Sequence, residues 1–375
     1  TDGTHDSPKQ TEFGKYLITS KHIKDNRIDF ESAYKISEDD YNKIITRSKV
    51  DQWDIIISMI GAYCGFCCIE SSKQTDYAIK NVGLLKVGNE LKCKWLYYYL
   101  TSPHGKQQLS KLRSGSSQPY ISLGALRNLD IPVPNENTMS DIVSVLSSLD
   151  SKIELNRCIN DNLEQQAQLL FDNLINASDW STTQFLSELS EINPPRKLSK
   201  GEYAPFVEMS NMPTSGSFPS RIDYKEYNGG MKFRNGDTIM ARITPCLENG
   251  KAAYVNFLKE NEIGFGSTEY IVLAPKKTIS SSFLYFLVRN KEFVDYAVKH
   301  MNGSSGRQRV SGDTIGNYQL PILDRNKLSI FIAIADRTLS KIRQNSFEII
   351  NLAKQRDTLL PKLMFGELKI NDLNC

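Results

Sequence analysis

Residues 121–174 recur, without a gap, as residues 310–363. A pattern of that length written twice obliges the chain to fold as two like units, so the repeat constrains the architecture more than any single motif. At a constant offset of 189, Ile121-Ser122 meets Val310-Ser311, Leu126 meets Ile315, Asn128 meets Asn317, Ile131 meets Leu320 and Pro132 meets Pro321. Farther on, Ser151-Lys152-Ile153 meets Ser340-Lys341-Ile342, Asn156 meets Asn345, Leu163 meets Leu352, Gln166 meets Gln355 and Leu174 meets Leu363. Upstream the offset drifts, as loops allow. Gly115-Ser116-Ser117 aligns with Gly303-Ser304-Ser305 at 188, Trp95-Leu96-Tyr97-Tyr98 with Phe283-Leu284-Tyr285-Phe286 at 188, and Tyr16-Leu17-Ile18 with Phe206-Val207-Glu208 at 190. Asp54-Ile55-Ile56 and Asp237-Thr238-Ile239 read as equivalent strand starts. The counterpart of Trp180 to Ser190 then falls before Thr1, and the chain opens without a methionine, so a trimmed start is expected.

Each unit has two parts. The first mixes short runs rich in Ile, Val and Tyr with Gly/Asn turns such as Asn228-Gly229-Gly230 and Asn235-Gly236-Asp237, which reads as β structure. One or two helices are embedded, over Trp95 to Leu112 and Phe283 to Met301. The second part is one long helix. From Thr138 to Ile175 there is no Pro or Gly, and apolar residues recur at Ile142, Leu146, Leu149, Ile153, Leu163, Leu170 and Leu174, a heptad seam broken by Asn156 and Asn160. The second copy gives Phe331, Ala335, Ile342, Ile349, Leu352, Leu359 and Leu363, broken by Asn345. At about 1.5 Å per residue each helix is roughly 55 Å long. The expected fold is α+β: two α/β domains (1–136 and 179–324) joined by two long antiparallel coiled-coil helices (137–178 and 325–368) in a pseudo-two-fold repeat, with a tail at 369–375. Two like domains held apart by a ruler suit a repetitive ligand such as duplex DNA, whose turn is about 34 Å.

Composition excludes several classes. The net charge is only +3, so any nucleic-acid surface must be local. No run of about 18 apolar residues is present, so no membrane-spanning helix is expected, and no secretory signal is visible. The seven cysteines are odd in number and scattered, which fits a reducing cytoplasm. Cys64 and Cys67 form a C-x-x-C, but a zinc site needs a second pair, so buried thiols and no metal are expected. The four histidines (His5, His22, His104, His300) form no metal or triad pattern, and no G-x-x-x-x-G-K-[ST] phosphate loop appears. Glu269, in Ser267-Thr268-Glu269-Tyr270, reads as the end or lining of a strand.

The layout resembles the specificity subunits of Type I restriction–modification enzymes over essentially the whole chain. Asp2-Gly3-Thr4-His5-Asp6-Ser7-Pro8 is similar to the D-G-T-H-x-T-P opening of that family. Ile131-Pro132-Val133-Pro134 and Leu320-Pro321-Ile322 resemble its exits before each helix, and Leu359 to Leu368 resembles its LLxKLxxGEL ending. The resemblance implies a cytoplasmic, non-catalytic subunit whose target recognition domains read the two halves of a bipartite duplex DNA target. It implies two modification (methyltransferase) subunits docked on the helices and up to two restriction (endonuclease) subunits. S-adenosylmethionine belongs to the former, ATP and Mg to the latter, and no cofactor to this chain. The seam positions Ile142, Leu146, Leu149, Ile153, Asn156, Leu163, Ile342, Asn345, Leu352 and Leu359 are the candidates for helix pairing and partner docking.

DNA contacts are expected in the Gly-Ser loop of each copy. The first supplies Arg113, Ser116, Ser117, Gln118 and Tyr120, the second Ser304, Ser305, Arg307, Gln308 and Arg309, and Arg242 and Thr244 rank behind them. Arg and Gln carry the bidentate donors that distinguish guanine and adenine, while Ser and Lys hold phosphates. The alternative is a stand-alone amino-methyltransferase, because Asn193-Pro194-Pro195-Arg196 is similar to the N-P-P-aromatic motif of enzymes that act on a flipped base. Arg in the fourth place removes the stacking face, and Gly264-Phe265-Gly266 is only a bare G-x-G.

Overall fold

The computed structural model describes residues 1–24, 27–115, 118–304 and 306–368. The chain divides into two compact units, Thr1–Ser151 with Leu352–Cys375, and Lys152–Asn351.

The first unit contains β1 (Lys15–Ile18), β2 (Ile23–Lys24), β3 (Arg27–Ile28), β4 (Lys35–Ile36), α1 (Glu38–Ser48), β5 (Ile55–Ser58), β6 (Cys67–Ile69), β7 (Tyr77–Ile79), β8 (Val82–Leu85), α2 (Glu90–Thr101), α3 (Pro103–Lys111), α4 (Leu123–Arg127) and the start of α5 (Glu136–Asn176). Its sheets are β6-β5-β8 and β4-β1-β7, the latter with β1 and β7 parallel. The central strand β5 is buried on both faces, which its Ile-Ile-Ile-Ser sequence permits. Side-chain alternation sends Ile55 and Ile57 into the core under α2 and α5, and Ile56 into the core shared with the other sheet.

The second unit repeats this plan. It holds β9 (Thr183–Phe185), α6 (Leu186–Leu189), β10 (Ser190–Ile192), β11 (Tyr203–Val207), β12 (Asp223–Glu226), β13 (Lys232–Phe233), β14 (Thr238–Ala241), β15 (Ala252–Tyr254), β16 (Gly264–Gly266), β17 (Tyr270–Pro275), α7 (Ser281–Arg289), α8 (Lys291–Lys299), α9 (Gly312–Gly316), β18 (Gln319–Pro321) and most of α10 (Arg325–Met364). Its sheets, β15-β14-β17-β10 and β13-β16-β11-β12, are those of the first unit with one strand added to each. Tyr16 pairs with Tyr77 across the parallel strands of the first unit, and Phe206 with Phe265 in the second. Asp54 and Asp237 open the two central strands. Each is buried and accepts an N–H from three residues back, Asp51 at 2.7 Å and Arg234 at 2.9 Å.

The embedded helical runs are each two helices. Ser102 ends α2 and caps α3 through Gly105 N–H at 3.0 Å, with Pro103 at the first helical position. Asn290 does the same between α7 and α8 through Phe293 N–H at 3.2 Å. A side chain that satisfies the new helix's free N–H groups lets the chain turn where an unbroken helix could not.

The long helices close the cores. In the first unit Met139, Ile142, Val143 and Leu146 of α5 pack with Leu360, Leu363 and Met364 of α10 around Trp95, Tyr98 and Leu100. In the second, Phe331, Ala335, Leu339 and Ile342 of α10 pack with Ala167, Phe171, Leu174 and Ile175 of α5 around Phe283 and Phe286. There the helices are antiparallel: Phe171 meets Phe331, and Asn160 meets Asn345, whose Nδ2 donates to Asn160 Oδ1 at 2.8 Å. Ile153 is buried, Leu149, Leu163, Leu352 and Leu359 are half-buried, and the seam differs from expectation at Leu170. Leu170 is exposed and Phe171 takes the core position, because an α-helix drifts away from a strict seven-residue repeat and the apolar stripe moves to Ala167, Phe171 and Leu174. The two seam asparagines also differ. Asn156 is buried, but its Nδ2 has no partner among the described residues. The position that repeats Asn160 is Ile349, whose side chain has no polar atom.

Leu363→Ala should therefore lower the stability of the first unit by about 2–5 kcal/mol in urea unfolding followed by tryptophan fluorescence. Val133→Ala, in the same unit at a residue 71% exposed, should change it by under about 0.5 kcal/mol. Equal effects would contradict the packing described.

Candidate nucleic-acid interface

Both Gly-Ser loops close as hairpins. Ser114 and Tyr120 exchange backbone hydrogen bonds of 2.8 and 2.9 Å, and Asn302 and Arg309 exchange two of 2.9 Å. Inside the turns Gly115 (φ 87°) and Gly303 (φ 127°) hold left-handed backbone. A Cβ on them would stand 2.7 Å from Gln118 O and 3.1 Å from Arg307 O, so glycine is what the reversal admits. A second stretch, leaving the central strand, crosses each hairpin. Gly61 N–H donates to Pro119 O at 2.8 Å and Ile121 N–H to Met59 O at 2.9 Å. In the second unit Thr244 N–H donates to Gln308 O at 3.1 Å and Val310 N–H to Arg242 O at 3.0 Å. The structure thus brings Arg242 and Thr244 against the second loop. Their first-unit equivalents, Met59 and Gly61, are absent from the sequence candidates, although the offset of 183 between Asp54 and Asp237 leads to them.

The side chains differ between the copies. Gln118 and Tyr120 are exposed, and Arg113 gives one N–H to Cys64 O at 2.6 Å. Ser116, Ser117 and Ser305 lie outside the described residues. Ser304 is exposed and its carbonyl accepts Arg307 N–H at 3.0 Å. Arg307 is exposed, with no side-chain hydrogen bond among the described residues. Gln308 is half-buried, and its carbonyl also accepts from Thr244 Oγ1 at 3.4 Å. Arg309 forks onto Glu269, Nε to Oε2 at 2.9 Å and Nη2 to Oε1 at 2.8 Å. Those hydrogen bonds, with the Arg309 and Arg242 charges, hold the Glu269 carboxyl below its ordinary range. Arg242 Nε is buried, with no partner among the described residues.

The Asn193–Arg196 segment is built into the sheet. Asn193 continues the β10–β17 pairing: its N–H donates to Val272 O at 2.7 Å and its Oδ1 accepts Val272 N–H at 2.9 Å. Arg196 Nη2 bonds both oxygens of Asp237 at 2.8 and 3.1 Å, deep under the surface. Burial raises the Asp237 carboxyl above its usual range, while the Arg234 N–H and Arg196 pull it down. Cys64, Cys67, Cys68 and Cys93 are buried free thiols, and burial pushes Cys67 and Cys93 up to about 12. Among the described residues no group of three or more ligating side chains stands together, and no helix is long and apolar enough to cross a membrane.

Comparison with known proteins gives one answer. The model of the Type I restriction modification DNA specificity domain matches residues 6–165 and again residues 178–327. The chain is 26% identical over 314 residues to the Type I restriction enzyme MjaIX specificity subunit of Methanocaldococcus jannaschii, covering 75% of this chain and 70% of that protein. It is 33% identical over 149 residues to the EcoAI specificity subunit of Escherichia coli, 38% of this chain and 25% of that protein. The Type-I restriction-modification system S subunit from M. genitalium shares the fold, with a TM-score of 0.54 at 17% identity over 97% of this chain and 92% of that one.

Arg196→Ala strands Asp237 inside the second unit and should cost about 3–5 kcal/mol near neutral pH. The loss should shrink on acidification. With its cation gone, Asp237 has a folded pKa still farther above its unfolded one, so folding takes up a proton and stability rises as pH falls between the two. Thermal melts at pH 7 and pH 4.5 check this, and a loss independent of pH would contradict it.

Proposed function

This chain belongs to the Type I restriction modification DNA specificity family, and on that footing we propose how its two copies divide the task. It is a specificity subunit and recognises a DNA target. Each copy reads one half-site of a two-part duplex sequence through its crossed hairpins. The observation that carries this reading is that the same backbone crossing occurs once per unit, at Met59–Gly61 with Pro119–Ile121 and at Arg242–Thr244 with Gln308–Val310, bearing different side chains. A shared frame with different donors suits two different half-sites, since base edges are told apart by donor and acceptor pattern. Arg307, exposed at the turn, is the foremost reader of the second half-site, and Gln118 and Tyr120 of the first.

The chain supplies recognition and scaffolding, and its partners supply the chemistry. Two methyltransferase subunits carrying S-adenosylmethionine dock along the long helices, and up to two endonuclease subunits using ATP and Mg join them, in the cytoplasm. Apolar side chains left exposed on those helices, Leu155 and Leu169 on α5 and Ile330 and Ile334 on α10, support the docking role. The Asn193 amide oxygen is held by Val272 N–H and the neighbouring arginine by Asp237, which favours a structural role for that segment over a methyltransferase motif.

Arg307→Ala, assayed by gel shift of the full chain with its methyltransferase partner, should weaken binding by about 1–3 kcal/mol through one half-site only. Competition with duplexes altered in either half-site separates the two. Equal loss at both, or none, would overturn this reading.

A further inference from the structure

Arg309 has five N–H donors in a fixed planar fork. Four contacts fix its plane. Nε lies 3.0 and 2.9 Å from the two Glu269 oxygens, Nη2 lies 2.8 Å from Oε1, and Nη1 lies 2.9 Å from Arg307 O. These occupy the Nε–H, one N–H of Nη2 and one of Nη1. Two N–H groups remain, one on each terminal nitrogen, with no partner among the described residues. The side chain keeps 40% of its surface exposed, against 25% for Glu269. Arg309 also sits in the crossed hairpins, where its backbone bridges Ile243 and Asn302.

We propose that Glu269 is a positioning residue that presents the remaining terminal N–H groups of Arg309 to a guanine, whose O6 and N7 accept hydrogen bonds in the major groove. This rests on the reading that the second hairpin faces DNA. A guanidinium held from behind loses little freedom on binding, which is how a supporting carboxylate sharpens a contact it does not itself make. The device belongs to one half-site. In the first copy the position bridged to Ile60, as Arg309 is to Ile243, is Tyr120, and the position repeating Glu269 at 188 is Asn81, so neither the fork nor its support is repeated. The hydrogen bonds from Arg309, with the charges of Arg309 and Arg242, hold the Glu269 carboxyl low and keep it ionised.

The test is selection from a randomised duplex pool by the full chain in complex with its methyltransferase partner. The unaltered chain should give a two-part motif with a required guanine in one half. Arg309→Ala should relax that position by about 5- to 150-fold and leave the other half unchanged. Glu269→Ala should relax the same position, the near-isosteric Glu269→Gln should do so less, and Glu269→Ala/Arg309→Ala should lose no more than Arg309→Ala alone, because one residue acts through the other. Thermal melts confirm that each variant folds. No two-part motif from the unaltered chain would strike down the functional reading itself. A two-part motif whose guanine preference survives these changes, or additive losses in the double variant, would overturn only the role given to Glu269.

Discussion

Each domain core is closed by the end of the helix that belongs to the other copy, and the rest of the structure depends on that exchange. Leu360, Leu363 and Met364 complete the core around Trp95 and Tyr98, and Phe171, Leu174 and Ile175 complete the core around Phe283 and Phe286. These triplets are the same positions of the repeat, 189 residues apart. A helix that must seat apolar residues at both of its ends cannot accept an inserted residue, because one residue turns everything beyond it by about 100°. The recognition parts carry no such demand, since an insertion in a loop is absorbed locally. This explains why the helices repeat without a gap while the domains repeat only in outline.

The repeat, the long helices and the equivalence of Tyr16 with Phe206 and of Asp54 with Asp237 were legible because each rests on local periodicity or on a turn that needs one residue type. Leu170 was misleading because a strict heptad ignores the slow drift of a real helix, and Phe171 occupies the core instead. The breaks at Ser102 and Asn290 carried a readable signal, a capping side chain followed by Pro103 in one copy, hidden under continuous apolar spacing. Met59 to Gly61 left no mark of their own. They matter through backbone groups, which composition and motif do not record, and only the alignment of the central strands leads to them.

The same contrast runs through the hairpins. The crossing is made by main-chain hydrogen bonds and by glycines at left-handed φ, so it survives wide change in side chains. On the proposed function, frame and readout are then separable: one copy carries Gln118 and Tyr120, the other Arg307 and an Arg309 braced by Glu269. Asn156 shows the cost of divergence inside the helices. Its counterpart Asn345 has Asn160, while the repeat of Asn160 is Ile349 and the Asn156 amide has no partner among the described residues. A buried amide without a partner costs roughly 1–3 kcal/mol, which the surrounding apolar seam offsets.

The central claim is that two unlike readers on one chain define one DNA target. Mapping methylated adenines across a genome, in cells that express the chain with its methyltransferase partner, tests it most directly. The account predicts a single motif of two unrelated halves separated by a gap of constant length. An uninterrupted motif, or methylation unchanged by the chain's presence, would contradict it.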